Sequence, residues 1–182
     1  MENKAYDNIV TRSSVRKYQP GVAVSDTDRQ LIMRAAMAAP SGVNRQPWEF
    51  VVIDDPDVLA RLADALPYAK MAAKAPLAIV VCGDSTRFLD GEDDTLWVQD
   101  LSAVSENILL AAHALGYGGV WTCLYPHAER QHQASTILQL PDTIIPFNLI
   151  PIGVPDGKPR LMDKWDPTRI HYNRWQVSEN QM

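Results

Sequence analysis

The sequence predicts an α+β domain, and three patterns support that fold class. Apolar residues recur at spacings of three and four in several segments, the longest over Thr95–Leu115, which indicates amphipathic helices. Apolar runs bounded by turn residues lie between them, which indicates strands. Because the helices are long and the strands are few, a layered α+β arrangement fits better than a doubly wound parallel sheet.

The length and composition indicate one domain. The chain has 182 residues, of which 46% are hydrophobic and 21% charged. That is enough for one domain with a core, and too short for two domains of ordinary size. We therefore expect a single domain over residues 1–182, with residues 156–182 forming an extended C-terminal tail.

Charge and cysteine usage exclude several classes of protein. The net charge is 17 − 22 = −5, whereas a dedicated nucleic-acid binder would usually carry a basic excess. The first ten residues lack the apolar segment of a signal peptide, and no apolar run reaches membrane-spanning length. Cys82 and Cys123 lie in separate apolar segments without metal-ligand spacing, so we expect two buried thiols in a reducing cytoplasm.

The first part of the chain predicts two helices and a strand. Residues 3–10 fit a short helix. Ser25, with an acidic residue three positions later, is close to a capping box, so a second helix begins there and runs to Ala39, where the following proline ends it. A run over Trp48–Ile53 predicts a strand. The apolar face of the second helix is expected to comprise Leu31, Ile32, Ala35, Ala36 and Ala39.

The middle of the chain predicts the centre of the domain. Asp57–Leu66 fits an amphipathic helix, and Ala69–Ala75 a further turn of helix. Pro76–Cys82 is too apolar to alternate, so we expect a strand covered on both faces. The helix over Thr95–Leu115 is apolar nearly all round in its second half, and Gly116 occupies the C-cap position. This helix is expected to be buried in the domain or against a second subunit.

The last part predicts a strand, a helix and a strand. These are Gly118–Tyr125, Ala128–Leu138 and Phe147–Val154, and Pro151 in the third suggests an edge strand or a bulge. The remainder from Pro155 is polar, aromatic and basic without a clear period. We expect it to extend across a surface.

Two polar segments suggest ligand recognition. Residues 11–18 contain two Arg, two Ser and a Lys, and the planar guanidinium of Arg12 or Arg16 matches a phosphate bidentately. Residues 40–50 offer a Ser hydroxyl, backbone N–H groups and two side-chain amides, including Asn44. Amides can pair with the edge of a heteroaromatic ring, because they both donate and accept. Taken alone, each segment also fits an ordinary solvated turn.

The sequence shows no catalytic constellation of its own. The glycines of residues 116–119 follow a helix and precede a strand, the reverse of the order that a pyrophosphate site requires. There is no P-loop, GxSxG or HExxH motif. His127 and His132 do not share a helical face, so no metal site is expected, and His113 is expected to be a hydrogen-bonded core residue. Phosphate and ring recognition without a catalytic side chain indicates that a cofactor performs the chemistry.

These motifs resemble those of a known family. Arg12–Tyr18 resembles the opening R-x-S-x-R-x-F/Y of the nitroreductase superfamily of FMN-dependent oxidoreductases, and Ala39–Trp48 resembles its second signature, A-P-S-x-x-N-x-Q-P-W. Three further segments also resemble that family. They are the end of the long helix at residues 107–112, the Leu-Gly pair at 115–116, and the Ile-Gly pair at 152–153 before a basic tail. The resemblance covers almost the whole chain in the same order.

The resemblance implies a fold, a cofactor and a set of contacts. The fold is a three-layer α/β/α domain with a mostly antiparallel sheet and a long central helix, in an intertwined homodimer with FMN at the subunit interface. One subunit holds the phosphate and ribityl chain with Arg12, Ser13, Ser14 and Arg16. The other lines the flavin with Pro40, Ser41, Gly42 and Asn44. Backbone groups near the reactive edge of the ring are supplied by Cys123 and Leu124.

The resemblance also implies a basic pair in the tail that completes the phosphate site. The family pattern is K-x-K or K-x-R before a Trp, whereas this chain has Met162-Asp163-Lys164-Trp165. Lys164 matches the pattern, and Arg160 is the substitute for the missing partner.

The implied reaction needs no catalytic side chain. NAD(P)H passes hydride to N5 of the flavin, and a nitroaromatic, quinone or enone acceptor then takes its place, while the protein supplies positioning and electrostatics. A short acidic segment at 84–94 should leave the pocket open. Alternatives are a flavin-fragmenting or dehalogenating member of the superfamily, a non-enzymatic flavin-binding redox module, and an α+β domain without a cofactor.

Overall fold

The computed structural model describes residues 3–175 and shows a five-stranded sheet between two layers of helices. The helices are α1 (Lys4–Thr11), α2 (Asp26–Met37), α3 (Pro56–Ala65), α4 (Leu96–Ala114) and α5 (Ala128–Leu138). The strands are β1 (Trp48–Ile53), β2 (Leu77–Asp84), β3 (Gly118–Gly119), β4 (Thr122–Cys123) and β5 (Ile144–Gly153). Short 3₁₀ turns lie at Gly42–Asn44, Lys70–Lys74, Ser85–Arg87, Gly91–Asp93 and Pro167–Arg169.

The strands form one antiparallel sheet in the order β1-β2-β5-β3, and β4 also pairs with β5. The last strand in the chain is therefore central. It joins the antiparallel pair of β1 and β2 on one side to the two short strands on the other. The predicted α+β class with an antiparallel sheet is confirmed.

Strand β2 shows why the domain has three layers. Leu77, Ile79 and Val81 pack with residues of α2 and α4, whereas the alternating residues pack with α3 and α5. Side chains alternate between the two faces of a strand, and every residue from 77 to 82 is at most 1% exposed. The prediction of a strand covered on both faces is confirmed.

Helix α2 begins as the sequence predicts. The Ser25 hydroxyl accepts a hydrogen bond from the backbone N–H of Asp28 at 3.1 Å and donates to its carboxylate at 2.7 Å. The helix ends at Met37, two residues earlier than predicted. Leu31 is 47% exposed, so its assignment to the apolar face is wrong. Successive helical positions are rotated by about 100°, so Leu31 turns away from the core, whereas Ile32, Ala36 and Ala39 of the same predicted face are buried.

The sequence predicted one continuous strand over Gly118–Tyr125. This prediction is wrong, because the segment forms two separate strands, β3 and β4. The gap between them lies opposite Ile150 and Pro151 of β5, and a proline has no N–H to donate. The expected edge position of Pro151 is also wrong, since β5 has neighbours on both sides. The irregularity of the β2–β5 pairing lies instead between Val81 and Cys82.

The two cysteines differ in burial. Cys82 is fully buried, and burial, together with the charge of Glu49, raises the pKa of its thiol to about 12. Cys123 is exposed, so the prediction of a buried thiol is wrong there. The strand that carries Cys123 is two residues long and, among residues 3–175, pairs only with β5, so its outer side is open there.

The tail after β5 is exposed over residues 156–165. Its large apolar side chains include Trp165 and Trp175, which are 71% and 77% exposed. The rest of the predicted tail, residues 176–182, lies outside the described residues. Over residues 3–175, no helix combines the length and apolarity needed to cross a membrane.

Candidate functional site

The segment Arg12–Arg16 is anchored at its centre by strand β3. The backbone N–H of Val15 donates to the carbonyl oxygen of Gly119 at 3.0 Å, and the buried Val15 side chain lies against Gly118, where a Cβ would lie 2.3 Å from it. The Tyr18 hydroxyl lies 2.9 Å from the carbonyl oxygen of Val15, and burial raises the pKa of Tyr18. Val15 and Tyr18 therefore point inward and leave Ser14 and Arg16 exposed.

Arg12 and Ser13 present unused donors. The Nε atom of Arg12 lies 3.2 Å from a carboxylate oxygen of Glu106, and its terminal nitrogens form no ion pair with other residues in 3–175. The Ser13 hydroxyl is buried and has no hydrogen-bond partner in this part of the chain. A buried polar atom without a partner is costly, and a ligand oxygen such as that of a phosphate would supply one. The residues present fit a bound phosphate group.

His113 fixes the end of α1 next to these donors. The Thr11 hydroxyl donates to the carbonyl oxygen of Asp7 at 2.6 Å, so the Nε2 atom of His113, 2.9 Å from that hydroxyl, must be the donor in their hydrogen bond. Burial and the charge of Arg12 lower the pKa of His113. His113 is thus hydrogen-bonded as predicted, although only partly buried.

Three cavities meet at Arg16. The first, which we call the Cys123 cavity, has a volume of about 650 Å³ and joins Arg16 to Cys123. The second, of about 1130 Å³, runs along residues 16–23. The third, of about 150 Å³, places Ser14 and Arg16 beside Lys158. The other residues that line the Cys123 cavity are Pro67, Tyr68, Lys70, Met71, Val120, Trp121, Thr122, His127 and Arg130.

The fold brings together some of the predicted contact residues. Ser14, Arg16 and Cys123 line the connected cavities, whereas Arg160 and Lys164 are exposed and line none of the three. The tail cation that shares a cavity with Ser14 is Lys158; the sequence left open which of Lys158, Arg160 and Lys164 reaches the phosphate.

Some backbone groups of Cys123 and Leu124 already form hydrogen bonds within the chain. The N–H of Leu124 donates to the carbonyl oxygen of Phe147 at 3.1 Å, and its side chain is buried. The carbonyl oxygen of Cys123 accepts from Arg130 at 3.3 Å. The N–H of Leu124 and the carbonyl oxygen of Cys123 are therefore already hydrogen-bonded within the chain.

The segment at 40–46 lies apart from these cavities in the same chain. None of Pro40, Ser41, Gly42 and Asn44 lines any of the three. The backbone there is strained, since Val43, Asn44 and Gln46 have φ of 41°, 58° and 50°, and positive φ is unusual for a β-branched residue.

Hydrogen bonds hold this strained segment in place. The N–H of Gly42 donates to Asp100 at 2.9 Å, the Gln46 N–H donates to the Ser41 hydroxyl at 3.0 Å, and the Gln46 amide donates to Asn44 at 2.9 Å. Val43 is left 79% exposed. Strain that the surroundings maintain is typical of ligand-binding segments.

Sequence reasoning missed Tyr68, Lys70 and Arg130 in the Cys123 cavity. They come from the turn after α3, the 3₁₀ turn that follows, and α5, and no local pattern marks them. Arg130 lies over the Tyr68 ring at 5.1 Å from its centroid, within the range of a cation–π interaction. Within residues 3–175, no group of three or more His, Cys, Asp or Glu could hold a metal ion.

Comparisons with known proteins show the family of the chain. The sequence matches the model of the nitroreductase family over residues 9–68 and 64–154. It is 42% identical over 168 residues, 92% of this chain and 85% of the other, to a protein of Methanothermobacter thermautotrophicus with the provisional name NADH dehydrogenase/NAD(P)H nitroreductase.

Solved structures are similar in fold. A Bacteroides thetaiotaomicron protein with the same provisional name has a TM-score of 0.90 and 44% identity, covering 96% of this chain and all of that one. An FMN-dependent nitroreductase of Clostridium difficile has a TM-score of 0.83 and 28% identity, covering 92% and 98%.

Proposed function

The chain belongs to the nitroreductase family, and on that premise we propose that it is an FMN-dependent enzyme that transfers two electrons from NAD(P)H to a nitroaromatic, quinone or enone acceptor. The observation that carries this proposal is the position of Arg16. It connects the Cys123 cavity, large enough for a flat ring system, to the small cavity lined by Ser14 and Lys158. A flavin mononucleotide combines a flat ring with a phosphate.

The residues around Arg16 divide the binding of the cofactor between them. Arg12, Ser13 and Ser14 would hold the phosphate, and the unpartnered Ser13 hydroxyl supports this role. Arg16 would place its charge between phosphate and ring. We retain Arg160 and Lys164 as predicted tail contacts, and the third cavity adds Lys158. When bound, FMN accepts and releases hydride, and the protein orients it and stabilises its negative charge.

The acceptor binds where NAD(P)H has left, so the pocket must admit both. The Cys123 cavity contains aromatic and sulfur-bearing side chains next to its cations. Flat aromatic molecules suit such a lining. The shared cavity supports a ping-pong sequence, with nicotinamide and acceptor bound in turn.

We propose that the enzyme is a homodimer and that the strained segment serves the partner's flavin. Pro40, Ser41, Gly42 and Asn44 line none of the three cavities in their own chain. Exposed apolar residues support an interface, and on α1 they include Tyr6 and Ile9, which are 61% and 59% exposed. We further propose that residues 1–182 form one domain whose tail contributes to that interface.

Anaerobic reduction tests the proposal. Purified protein carrying its own flavin is titrated separately with NADH and NADPH, and reoxidation by a quinone is then followed. We expect bleaching by a nicotinamide and rapid recovery with the quinone. A protein that stays colourless after addition of FMN overturns the proposal, and flavin binding without turnover would indicate a redox-sensing module. Sedimentation tests the dimer, which a stable flavin-loaded monomer would contradict.

A further inference from the structure

The Cys123 cavity carries a concentration of positive charge. Arg16, Lys70 and Arg130 line it, together with His127, and its lining residues include no Asp or Glu. Within residues 3–175, Arg16 and Arg130 form no ion pair, and Lys70 has only an exposed partner, Asp64, at 3.8 Å. Exposed pairs of this kind are weak, so the cavity has a net positive potential that favours an anion.

Two contacts orient Arg130 at a position where a cation is electrostatically disfavoured. It lies in the first turn of α5, where the helix dipole disfavours a cation. Its Nη1 atom donates to the carbonyl oxygen of Cys123 at 3.3 Å, and the Tyr68 ring lies 5.1 Å from its central carbon. These two contacts orient the planar guanidinium and leave several of its five N–H donors unused.

Binding of the cofactor phosphate does not explain why an arginine lies at position 130. That phosphate has its own donors on Arg12, Ser13 and Ser14, and Arg130 does not line the cavity beside Ser14 and Lys158. A partly buried arginine that is packed on a tyrosine ring matches a carboxylate attached to an arene. The Tyr68 ring orients the guanidinium, the in-plane N–H donors bind the carboxylate, and Trp121 and Met71 of the same cavity are available to contact the arene. Resting on the proposed function, we infer that Arg130 and Tyr68 select aromatic electron acceptors that carry a carboxylate.

With a nitrobenzoate as the acceptor, the reaction is a two-electron reduction of the nitro group. NAD(P)H supplies a hydride, which is two electrons and one proton, and solvent supplies a second proton. One N–O bond of the nitro group breaks, the products being a nitroso compound, water and NAD(P)⁺. The carboxylate takes no part in this exchange, so it contributes to binding alone.

The test compares 4-nitrobenzoate with the neutral isostere 4-nitrobenzamide on the flavin-loaded enzyme. We expect kcat/KM to favour the benzoate, and Arg130→Gln to reduce that preference roughly tenfold, mainly through KM, as expected for the loss of a charge-assisted contact. Arg130→Lys should retain part of it. The matched control Arg61→Gln removes the same charge from an exposed position on α3 and should leave the preference unchanged.

Binding without turnover provides a second readout. Benzoate, which cannot be reduced, should perturb the absorbance of the oxidised flavin, with a dissociation constant that rises roughly tenfold in Arg130→Gln and with salt. Equal kcat/KM for the two nitro compounds in an active wild-type enzyme overturns the inference and leaves the proposed function intact. Loss of FMN from Arg130→Gln with unchanged preference also overturns it. A protein that binds no flavin, or that shows no turnover, would contradict both this inference and the proposed function.

Discussion

The backbone N–H of Gly42 donates a 2.9 Å hydrogen bond to the Asp100 carboxylate, 58 positions along the chain. Asp100 lies on α4 and is 9% exposed. The bond joins the longest helix of the core to the segment whose backbone is strained at Val43 and Asn44. The strained segment is therefore held by a contact from a largely buried helix.

Removing the Asp100 carboxylate should destabilise the protein and loosen this segment. Asp100→Ala leaves the Gly42 N–H without its acceptor, so we expect a loss of about 1–3 kcal/mol in the free energy of unfolding. Asp100→Asn retains an acceptor oxygen and should lose less. Denaturant unfolding measures the change, with Asp93→Ala as an exposed control expected to stay within about 0.5 kcal/mol. Equal effects of Asp100→Ala and the control would disprove the role of this bond.

A side chain at Gly118 should displace the segment Arg12–Arg16. A Cβ there would lie 2.3 Å from Cγ2 and 2.7 Å from Cβ of Val15, so Gly118→Ala forces Val15 to move. We expect a loss of about 1–3 kcal/mol, together with weaker FMN retention, because Ser14 and Arg16 flank Val15. The double variant Gly118→Ala, Val15→Ala should recover part of the retention. Retention equal to wild type in Gly118→Ala would show that the segment does not hold the cofactor.

Replacing Arg16 should weaken the binding of FMN. Arg16 lines all three cavities and has no ion-pair partner within residues 3–175, so Arg16→Ala removes a charge without exposing a new one. We expect the dissociation constant of FMN to rise about tenfold or more, with little change in the free energy of unfolding of the apoprotein. Flavin absorbance after desalting and titration of apoprotein measure this. Arg34→Ala, an exposed arginine on α2, is the control, and full flavin loading of Arg16→Ala would refute the assignment.

His113 should make stability depend on pH below neutrality. Burial, followed by the charge of Arg12, lowers the pKa of His113 below its ordinary value of 6.5. As pH falls below 6.5, the unfolded chain binds a proton before the folded one does, so stability present above pH 6.5 is lost progressively down to the folded-state pKa. His113→Gln should reduce this slope, whereas His132→Gln, at an exposed position, should not. Identical slopes in wild type and His113→Gln, from unfolding at several pH values, would contradict the prediction.

Local signals predicted the elements well where the residues involved are neighbours in sequence. The bounds predicted for β1 and α5 match those observed, and the cap of α2 by Ser25 follows from a pattern only four residues long. The prediction was wrong where pairing partners decide the outcome. The strand over residues 118–125 is interrupted opposite Pro151 of β5, and no property of the local segment indicates that alignment.

In the candidate site, too, one part was predictable from the local sequence and another part was not. The segment Arg12–Arg16 was predicted from its own chemistry, because phosphate-binding side chains are crowded into a few residues. Arg130 was missed because its place beside Tyr68 and Cys123 depends on how α5 packs against the rest of the domain. The expectation of a buried Cys123 was wrong for the same reason, since the exposure of a strand end depends on its neighbours.

The sequence by itself determined the α+β class, the family membership and the cationic segment that we assign to the cofactor phosphate, because each rests on periodicity or on motifs within a short stretch of chain. The tertiary structure decided which cations share a cavity, which strand is central, and that the segment at Gly42 lines none of the cavities at Arg16. Those features arise from contacts between residues that are distant in sequence, which no local pattern specifies.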